Sequence, residues 1–394
     1  MAGVVSAVGV AAAEAALRYN PRSLSDEASA SLSRAVEAIA GIEGLSLIAH
    51  GAGIEAVALE GLRTDQARVL ERLAKDAGSQ VLTDRGASRA VVMGPIAGLA
   101  ALTARLVEWG PPCEDLGHAL SATLMSRYER PPLRCGARSL VFGATTLIMG
   151  VVNTTPDSFS EDGVDRDVDR AVAIAEQMVA AGADLIDVGG ESTRPHSEPV
   201  DAATELARVV PAVSALASRL PVPVSVDTRK AEVAEAAIAA GATMVNDVWG
   251  LRGDPRMAEV VAAHPEVALV AMHNRRGHDY DDLMAEVARD LRASLLVAAR
   301  NGIAGDRVVL DPGFGFGKTP IQNIDLMQRL GELRGIGRPL LIGPSRKSTI
   351  SLLLGGAPPE LRVEGTLALC VIAAAAGVDM VRVHDVAAVR RGLT

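Results

Sequence analysis

From residue 145 onward the chain alternates eight times between a short apolar run and a helical pattern, and each apolar run ends in polar groups. In order those ends are Asn153 (IMGVVN), Asp187 to Thr193 (LIDVGGEST), Asp227 (VSVDT) and Asn246 (MVNDV). They continue with Met272 and His273 (LVAMH), Asp311 (VVLDP), Ser345 to Lys347 (LLIGPSRK), and Arg382 with His384 (MVRVHD). The segments between them carry helix signals; DVDRAVAIAEQMVAAG offers Asp167 as an N-cap and Gly182 as a stop. Eight such units predict an α/β architecture, a (β/α)8 TIM barrel over residues 145–394, because an open sheet rarely reaches eight strands with every unit intact. The C-terminal strand ends of such a barrel converge on one face, where catalysis takes place. The last helical segment, VAAVRRGLT, is short for a closing element, so a further element is expected to help seal the barrel.

Residues 1–130 follow a different pattern and predict a small α+β domain, with 131–144 as linker and barrel entry; the Pro-containing stretch YERPPLRCGARS marks the junction. The opening MAGVVSAVGVAAAEAALRYN lacks a basic leader and contains Glu14, so it reads as a strand-to-helix segment rather than a signal peptide. GAGIEA is a poor dinucleotide fingerprint, lacking the third glycine and the helix start. No cluster of His, Cys or paired carboxylates occurs in this part. A structural or assembly role is expected for it, covering the barrel seam beside the short last helix.

Composition narrows the partners. The net charge of −9 argues against a nucleic-acid or anionic-membrane surface, and no apolar run is long enough to span a bilayer. Apolar residues make up 49% and aromatics only 2%, the Ala/Val/Leu bulk of helices packed on a parallel sheet. Cys113, Cys135 and Cys370 are odd in number and far apart, which reads as reduced thiols in a cytoplasmic protein.

With an acidic chain, an anionic substrate needs a local basic cluster. Arg346, Lys347, Arg382 and His384 provide one on the seventh and eighth strand ends, where barrels commonly bind phosphate. Arg382 and His384 are two apart and share one strand face; the bland alternative pairs these cations with carboxylates such as Asp311 or Asp385. Asp227, Asn246 and Asp311 offer carboxylate acceptors and an amide to a neutral heterocycle such as a pterin. GFGFGK lacks full P-loop spacing; its phenylalanines are expected to wall an aromatic ligand. Asn153 opens the polar loop TTPDSFSEDG, with Asp157, Glu161 and Asp162. An amide, a carboxylate and substrate phosphate oxygens make an incomplete cage suited to Mg²⁺.

The blocks MGVVNTTPDSFS, IDVGGESTRP, VSVDTRKAEVA, VNDVWG, LDPGFGFGKT, GPSRKS and RVHDV, in this order over about residues 134–394, closely resemble the dihydropteroate synthase family. The resemblance implies a transferase of folate biosynthesis. Its reaction condenses 6-hydroxymethyl-7,8-dihydropterin diphosphate with 4-aminobenzoate and releases pyrophosphate. It assigns Asp227, Asn246, Met272, Asp311 and Lys347 to the pterin, and Asn153, Arg382 and His384 to pyrophosphate, with Asn153 also on Mg²⁺. Thr193, Arg194, Phe316 and Ser348 fall on the 4-aminobenzoate side, and Asp227, Lys347 and Asp162 carry the catalytic roles. A homodimer is expected by analogy.

The first loop, SFSEDGV, is one residue longer than the family's SFSDGG, so its carboxylate role falls on Glu161 or Asp162, and Asp162 precedes the glycine. His196 stands where a glycine is common. A pterin-dependent methyltransferase shares the acid and amide contacts but has no pyrophosphate to hold, hence no need of SRK and RVHD together. A catalytically silent paralogue is the rival from outside the enzymes.

Overall fold

The computed structural model describes residues 2–24, 54–125, 130–154, 164–191 and 200–394. Packing divides the chain into two compact units. One comprises Met1–Arg130 with Tyr280–Arg300 and Gln328–Arg338; the other holds Pro131–Asp279, Asn301–Met327 and Pro339–Thr394.

The second unit contains the barrel. Its strands are, in chain order, Leu147–Asn153, Leu185–Gly189, Val224–Asp227, Met244–Asp247, Ala268–Met272, Val308–Asp311, Leu341–Ile342 and Met380–Val383. They form one eight-stranded sheet with parallel pairing throughout, in the spatial order six-five-four-three-two-one-eight-seven. A parallel bridge from Leu310 to Leu340 joins strands six and seven and closes the ring. The seventh strand is the shortest, so this closure rests on a single bridge rather than a ladder.

Alternation along each strand organises the barrel interior. Leu147, Met149, Leu185, Met244, Ala268, Val270, Val309, Leu341 and Met380 form one buried apolar cluster. Two or four residues further along the same strands stand Asn153, Asp187, Asn246, Met272, Asp311 and Arg382. The same strand face that builds the core therefore delivers polar groups to the C-terminal rim. Below the cluster, the stretch expected as a linker is a small hairpin, Leu133–Cys135 with Arg138–Leu140, whose Leu133, Cys135 and Leu140 join the core.

The short last helix, Val386–Leu393, is fastened by a basic side chain. Arg390 ion-pairs with Asp184 at 2.6 Å and donates to the Gly182 carbonyl, and Asp184 in turn accepts the Ile148 N–H at 2.7 Å. This ties the last helix to the first β–α unit. The helix between those strands starts at Val164, upstream of the expected cap at Asp167, and ends before Gly182, whose φ of +99° suits only glycine.

The first unit is the small α+β domain with two additions. Strands Arg22–Ser23, Ile54–Leu59, Ala90–Pro95 and Gln80–Thr83 lie in that order in an antiparallel sheet. Helices Thr64–Asp76, Ile96–Trp109 and Glu114–Met125 supply Leu70, Leu99, Leu102, Leu106, Leu116 and Leu120 to a core shared with Leu59 and Val92. The N-terminal segment is one helix, Ala2–Tyr19, rather than the strand-to-helix segment expected; its alanine-rich sequence favours this. The additions are Leu283–Arg300 and Gly331–Arg334, helices that follow barrel strands five and six in the chain.

A buried polar network joins them to the N-terminal segment. Arg22, 1% exposed, lies 3.2 Å from Glu332, 3.5 Å from Asp282 and 3.6 Å from Glu60. Arg292 donates to Asn20 Oδ1 at 2.6 Å and to the Pro21 carbonyl, and Asn20 donates to the Ala285 carbonyl at 2.8 Å. Burial pushes Arg292 down to about 9. Within its own unit the extension packs on the helices after strands five and six, where buried Arg292 and Glu332 meet polar groups of the N-terminal segment.

Candidate active site

The strand ends meet in a charged cluster centred on Arg382. Its Nε donates to Asp187 Oδ2 at 2.6 Å and its Nη2 to Asp227 Oδ2 at 2.7 Å. Asn246 Nδ2 donates to the same Asp187 oxygen at 2.9 Å. Strands two, three, four and eight are thus linked through four side chains. Burial pushes Asp227 up to about 7; Arg382 holds it down, while neighbouring Asp187 adds to the rise. For Arg382, burial works against the charge, but Asp187 and Asp227 outweigh it and raise the guanidinium further.

Across the cluster stand Asp311 and Lys347. Burial pushes the Lys347 amine down to about 7 against the pull of Asp311, and burial raises Asp311 against the pull of Lys347. Asp311 Oδ1 accepts the Gly313 N–H at 2.7 Å, which fixes the start of the loop Gly313 to Lys318. Lys347 donates to the Phe314 carbonyl, and its ammonium lies 4.2 Å from the centre of the Phe316 ring.

That loop is held at close quarters. Gly313 has a φ of +72°, and a Cβ there would come within 2.0 Å of the His273 carbonyl oxygen. Lys318, buried, donates to the Gly313 and Phe316 carbonyls at 3.1 and 3.2 Å and pairs with His273 Nδ1 at 2.9 Å. The expectation that both phenylalanines wall a ligand is corrected here. Phe314 is fully buried, its ring centre 5.8 Å from the Lys347 ammonium, and Phe316, half-buried, lies nearer to that ammonium.

The basic edge is likewise narrower than expected. Arg346, at a φ of +58°, forms a two-pronged pair with Asp385 at 2.6 and 3.0 Å, the bland alternative for that residue. His384 Nδ1 lies 2.9 Å from Ser345 Oγ and its Nε2 3.5 Å from Asn153 Nδ2. Met272, buried, ends strand five, and Ser348 is exposed at the start of helix Ser348–Leu353. Asp157, Glu161, Asp162, Thr193, Arg194 and His196 lie outside the described residues. At the root of the second loop, Glu191 pairs with Lys230 at 2.6 Å and Arg229 at 3.1 Å.

Asp227, Asn246, Asp311, Lys347 and Arg382 are therefore gathered into one constellation, with Asn153 and His384 beside it. Sequence reasoning passed over Asp187, Ser345 and Lys318 as site residues. Asp187 and Ser345 carried a signal, since both share the strand parity of the residues singled out.

A family model described as pterin binding enzyme matches residues 149–384. The chain belongs to that family. A dihydropteroate synthase of Clostridium beijerinckii is 46% identical over 255 residues, covering 64% of this chain and 94% of its own. One from Bacillus subtilis is 44% identical over 253 residues, covering 64% and 88% respectively. Among solved structures, a Xanthomonas albilineans dihydropteroate synthase with 4-aminobenzoic acid matches at a TM-score of 0.64 and 44% identity, covering 67% of this chain and 96% of that one. The same enzyme in complex with 7,8-dihydropteroate matches at 0.62 and 43% identity, over 67% and 96%. Nearly the whole of each relative aligns, and the rest of this chain lies beyond those alignments.

Proposed function

We propose that this chain is a dihydropteroate synthase, joining 6-hydroxymethyl-7,8-dihydropterin diphosphate to 4-aminobenzoate with release of pyrophosphate. Membership of the pterin binding family and identity above 40% to dihydropteroate synthases support the reading. The observation that carries it is Arg382, a cation set on the rim between the carboxylates Asp187 and Asp227, with Lys347 and Asp311 opposite. An acid and amide wall suits the pterin ring, and the guanidinium keeps further N–H donors for diphosphate oxygens.

The chemistry asks for no protein nucleophile. The bond from the pterin methylene carbon to the diphosphate oxygen breaks, with its electron pair leaving on pyrophosphate. The resulting cation is conjugated to the electron-rich ring, and the lone pair of the aryl amine forms the new carbon–nitrogen bond, followed by loss of one amine proton. Ionised Asp227 stabilises the ring cation; Arg382 and His384 receive the leaving group. Met272 lies against the ring, and Phe316 and Ser348 border the amine, with Thr193 and Arg194 from the second loop. Asp162 serves the first loop.

Asn153 offers one neutral amide oxygen, and no group of three His, Cys, Asp or Glu side chains among the described residues forms a metal cage. Such a sparse donor set fits Mg²⁺ held mainly by diphosphate oxygens and water, with Asn153 as its protein ligand. When bound, Mg²⁺ neutralises charge on the departing pyrophosphate.

A homodimer is supported by exposed apolar side chains on two neighbouring helices, Leu352 at 65%, Leu353 at 57% and Ile372 at 46%. A cytoplasmic setting is supported by three free, buried cysteines. For residues 1–130 the reading is a structural brace, supported by the network of Asn20 and Arg22 with Arg292 and Glu332. The test of function is pyrophosphate release by the purified chain given the pterin diphosphate. Release must depend on 4-aminobenzoate; release that ignores the amine refutes the assignment.

A further inference from the structure

Asp187 is fully buried on the second barrel strand, below the rim on which the expected substrate contacts stand. Its Oδ2 nevertheless receives two of those contacts at once, Arg382 Nε at 2.6 Å and Asn246 Nδ2 at 2.9 Å. A guanidinium facing one carboxylate commonly offers it two parallel donors in a fork. Here the fork is divided: Asp187 takes Nε and Asp227 takes Nη2 at 2.7 Å. Asp227 therefore holds Arg382 by one oxygen only, Oδ2.

Asp187 is not built as an economical structural anchor. Its Oδ1 is buried with no hydrogen-bond partner among the described residues. Leaving such an atom unsatisfied costs stability, so its presence on a strand beside the rim calls for a reason. We propose that Asp187 is a positioning residue of the pterin diphosphate site: by holding one edge of Arg382 and the amide of Asn246, it keeps the arginine from claiming Asp227 and leaves that carboxylate available to the pterin ring. The proposal rests on the synthase reading given above.

Asp187 also acts on Asp227 through its charge, which raises that carboxyl. Burial first, then the downward pull of Arg382 and the upward push of Asp187, sets how readily Asp227 takes a proton. A residue that only filled space would leave no mark on that titration.

The test is Asp187→Asn, which keeps shape and removes charge. The expected result is a folded protein whose KM for the pterin diphosphate rises about tenfold or more, because the bonds to Arg382 and Asn246 lose the charge of their acceptor. The KM for 4-aminobenzoate should stay within about twofold, since Arg382 and Asn246 serve the pterin side. The acid limb of kcat/KM should move to lower pH, because Asp227 loses a like-charged neighbour. Constants equal to wild type, or an unmoved acid limb with both KM values changed together, overturn the proposal.

If Asp187→Asn does not fold, Asp187→Glu gives the answer. It keeps the charge and displaces the carboxylate, so it should raise the pterin diphosphate KM with the acid limb in place; an unchanged KM overturns the proposal. Wild-type turnover separates the two claims. A wild type without amine-dependent pyrophosphate release refutes the function, whereas a normal wild type matched by Asp187→Asn refutes only the role of Asp187.

Discussion

Lys318→Met tests how the Gly313 to Lys318 loop is held in place. Lys318 is 6% exposed, and its ammonium is shared among the Gly313 carbonyl at 3.1 Å, the Phe316 carbonyl at 3.2 Å and His273 Nδ1 at 2.9 Å. Methionine keeps the length of the stem and removes every one of these bonds. Hydrogen bonds from a charged donor contribute about 1.5–3 kcal/mol each. Removing the buried ammonium also removes its desolvation penalty of several kcal/mol, at the order of magnitude such ions cost. The Gly313 carbonyl keeps the Phe316 N–H at 3.1 Å, so Phe316 O bears most of the loss. The net change is about 2 kcal/mol against the ordered loop, or roughly thirtyfold in the fraction of molecules with Phe316 in place. Steady-state pyrophosphate release, with each substrate varied in turn, reads this out. The expected result is a fall of about tenfold or more in kcat/KM for 4-aminobenzoate, with a far-ultraviolet spectrum like wild type. A value within about twofold of wild type for both substrates refutes the bracing role.

Arg382→Ala should weaken binding of the pterin diphosphate by about 2–5 kcal/mol, as for loss of one partner of a buried charge pair, and affect a pterin lacking the diphosphate much less. Equal losses for the two ligands in titration calorimetry would contradict the diphosphate role. In wild type, Asp227 stands at about 7 and Lys347 at about 7, so the carboxylate becomes protonated below that pH and the amine neutral above it. The kcat/KM for the pterin diphosphate should fall on both sides of about 7, and a flat profile across that region would exclude those groups. Glu332→Ala removes the carboxylate nearest Arg22, but Glu60 and Asp282 remain at 3.6 and 3.5 Å. The loss should therefore be about 1–3 kcal/mol, less than for a fully broken buried pair, and an unchanged urea midpoint would sink the brace.

The barrel was legible because its strands obey two periodicities at once. Apolar runs such as VVLD and MVRV announce strands buried on both faces, and the side-chain alternation carries Asp311 and Arg382 to the rim above Val309 and Met380. That same rule would have singled out Asp187 and Ser345. Both were seen as strand ends but given no role, because each lies inside a richer motif, beside Glu191 to Thr193 or Arg346 and Lys347. Pairing was not legible at all. Nothing in the chain says that Arg346 turns to Asp385 through a left-handed φ, or that Phe314 enters the core while Phe316 does not. The Phe314 to Phe316 loop is set by its close approach to His273, and the Arg346 pair by Asp385 on another strand end, contacts between residues far apart in sequence.

The alliance of the N-terminal strand with Leu283–Arg300 and Gly331–Arg334 was equally hidden. The sequence shows Arg292 and Glu332 as ordinary charges on helical patterns. Only their burial, at 2% and 3% exposure, reveals that they require partners such as Asn20 and Arg22.

This rim joins an aryl amine to a pterin methylene carbon as pyrophosphate leaves. The most direct measurement is mass analysis of the product made by the purified full chain from the pterin diphosphate and nitrogen-labelled 4-aminobenzoate. The expected product is labelled 7,8-dihydropteroate in equal amount to the pyrophosphate released. Pyrophosphate accumulating without labelled dihydropteroate would show that water, not the amine, captures the cation, and would contradict this reaction.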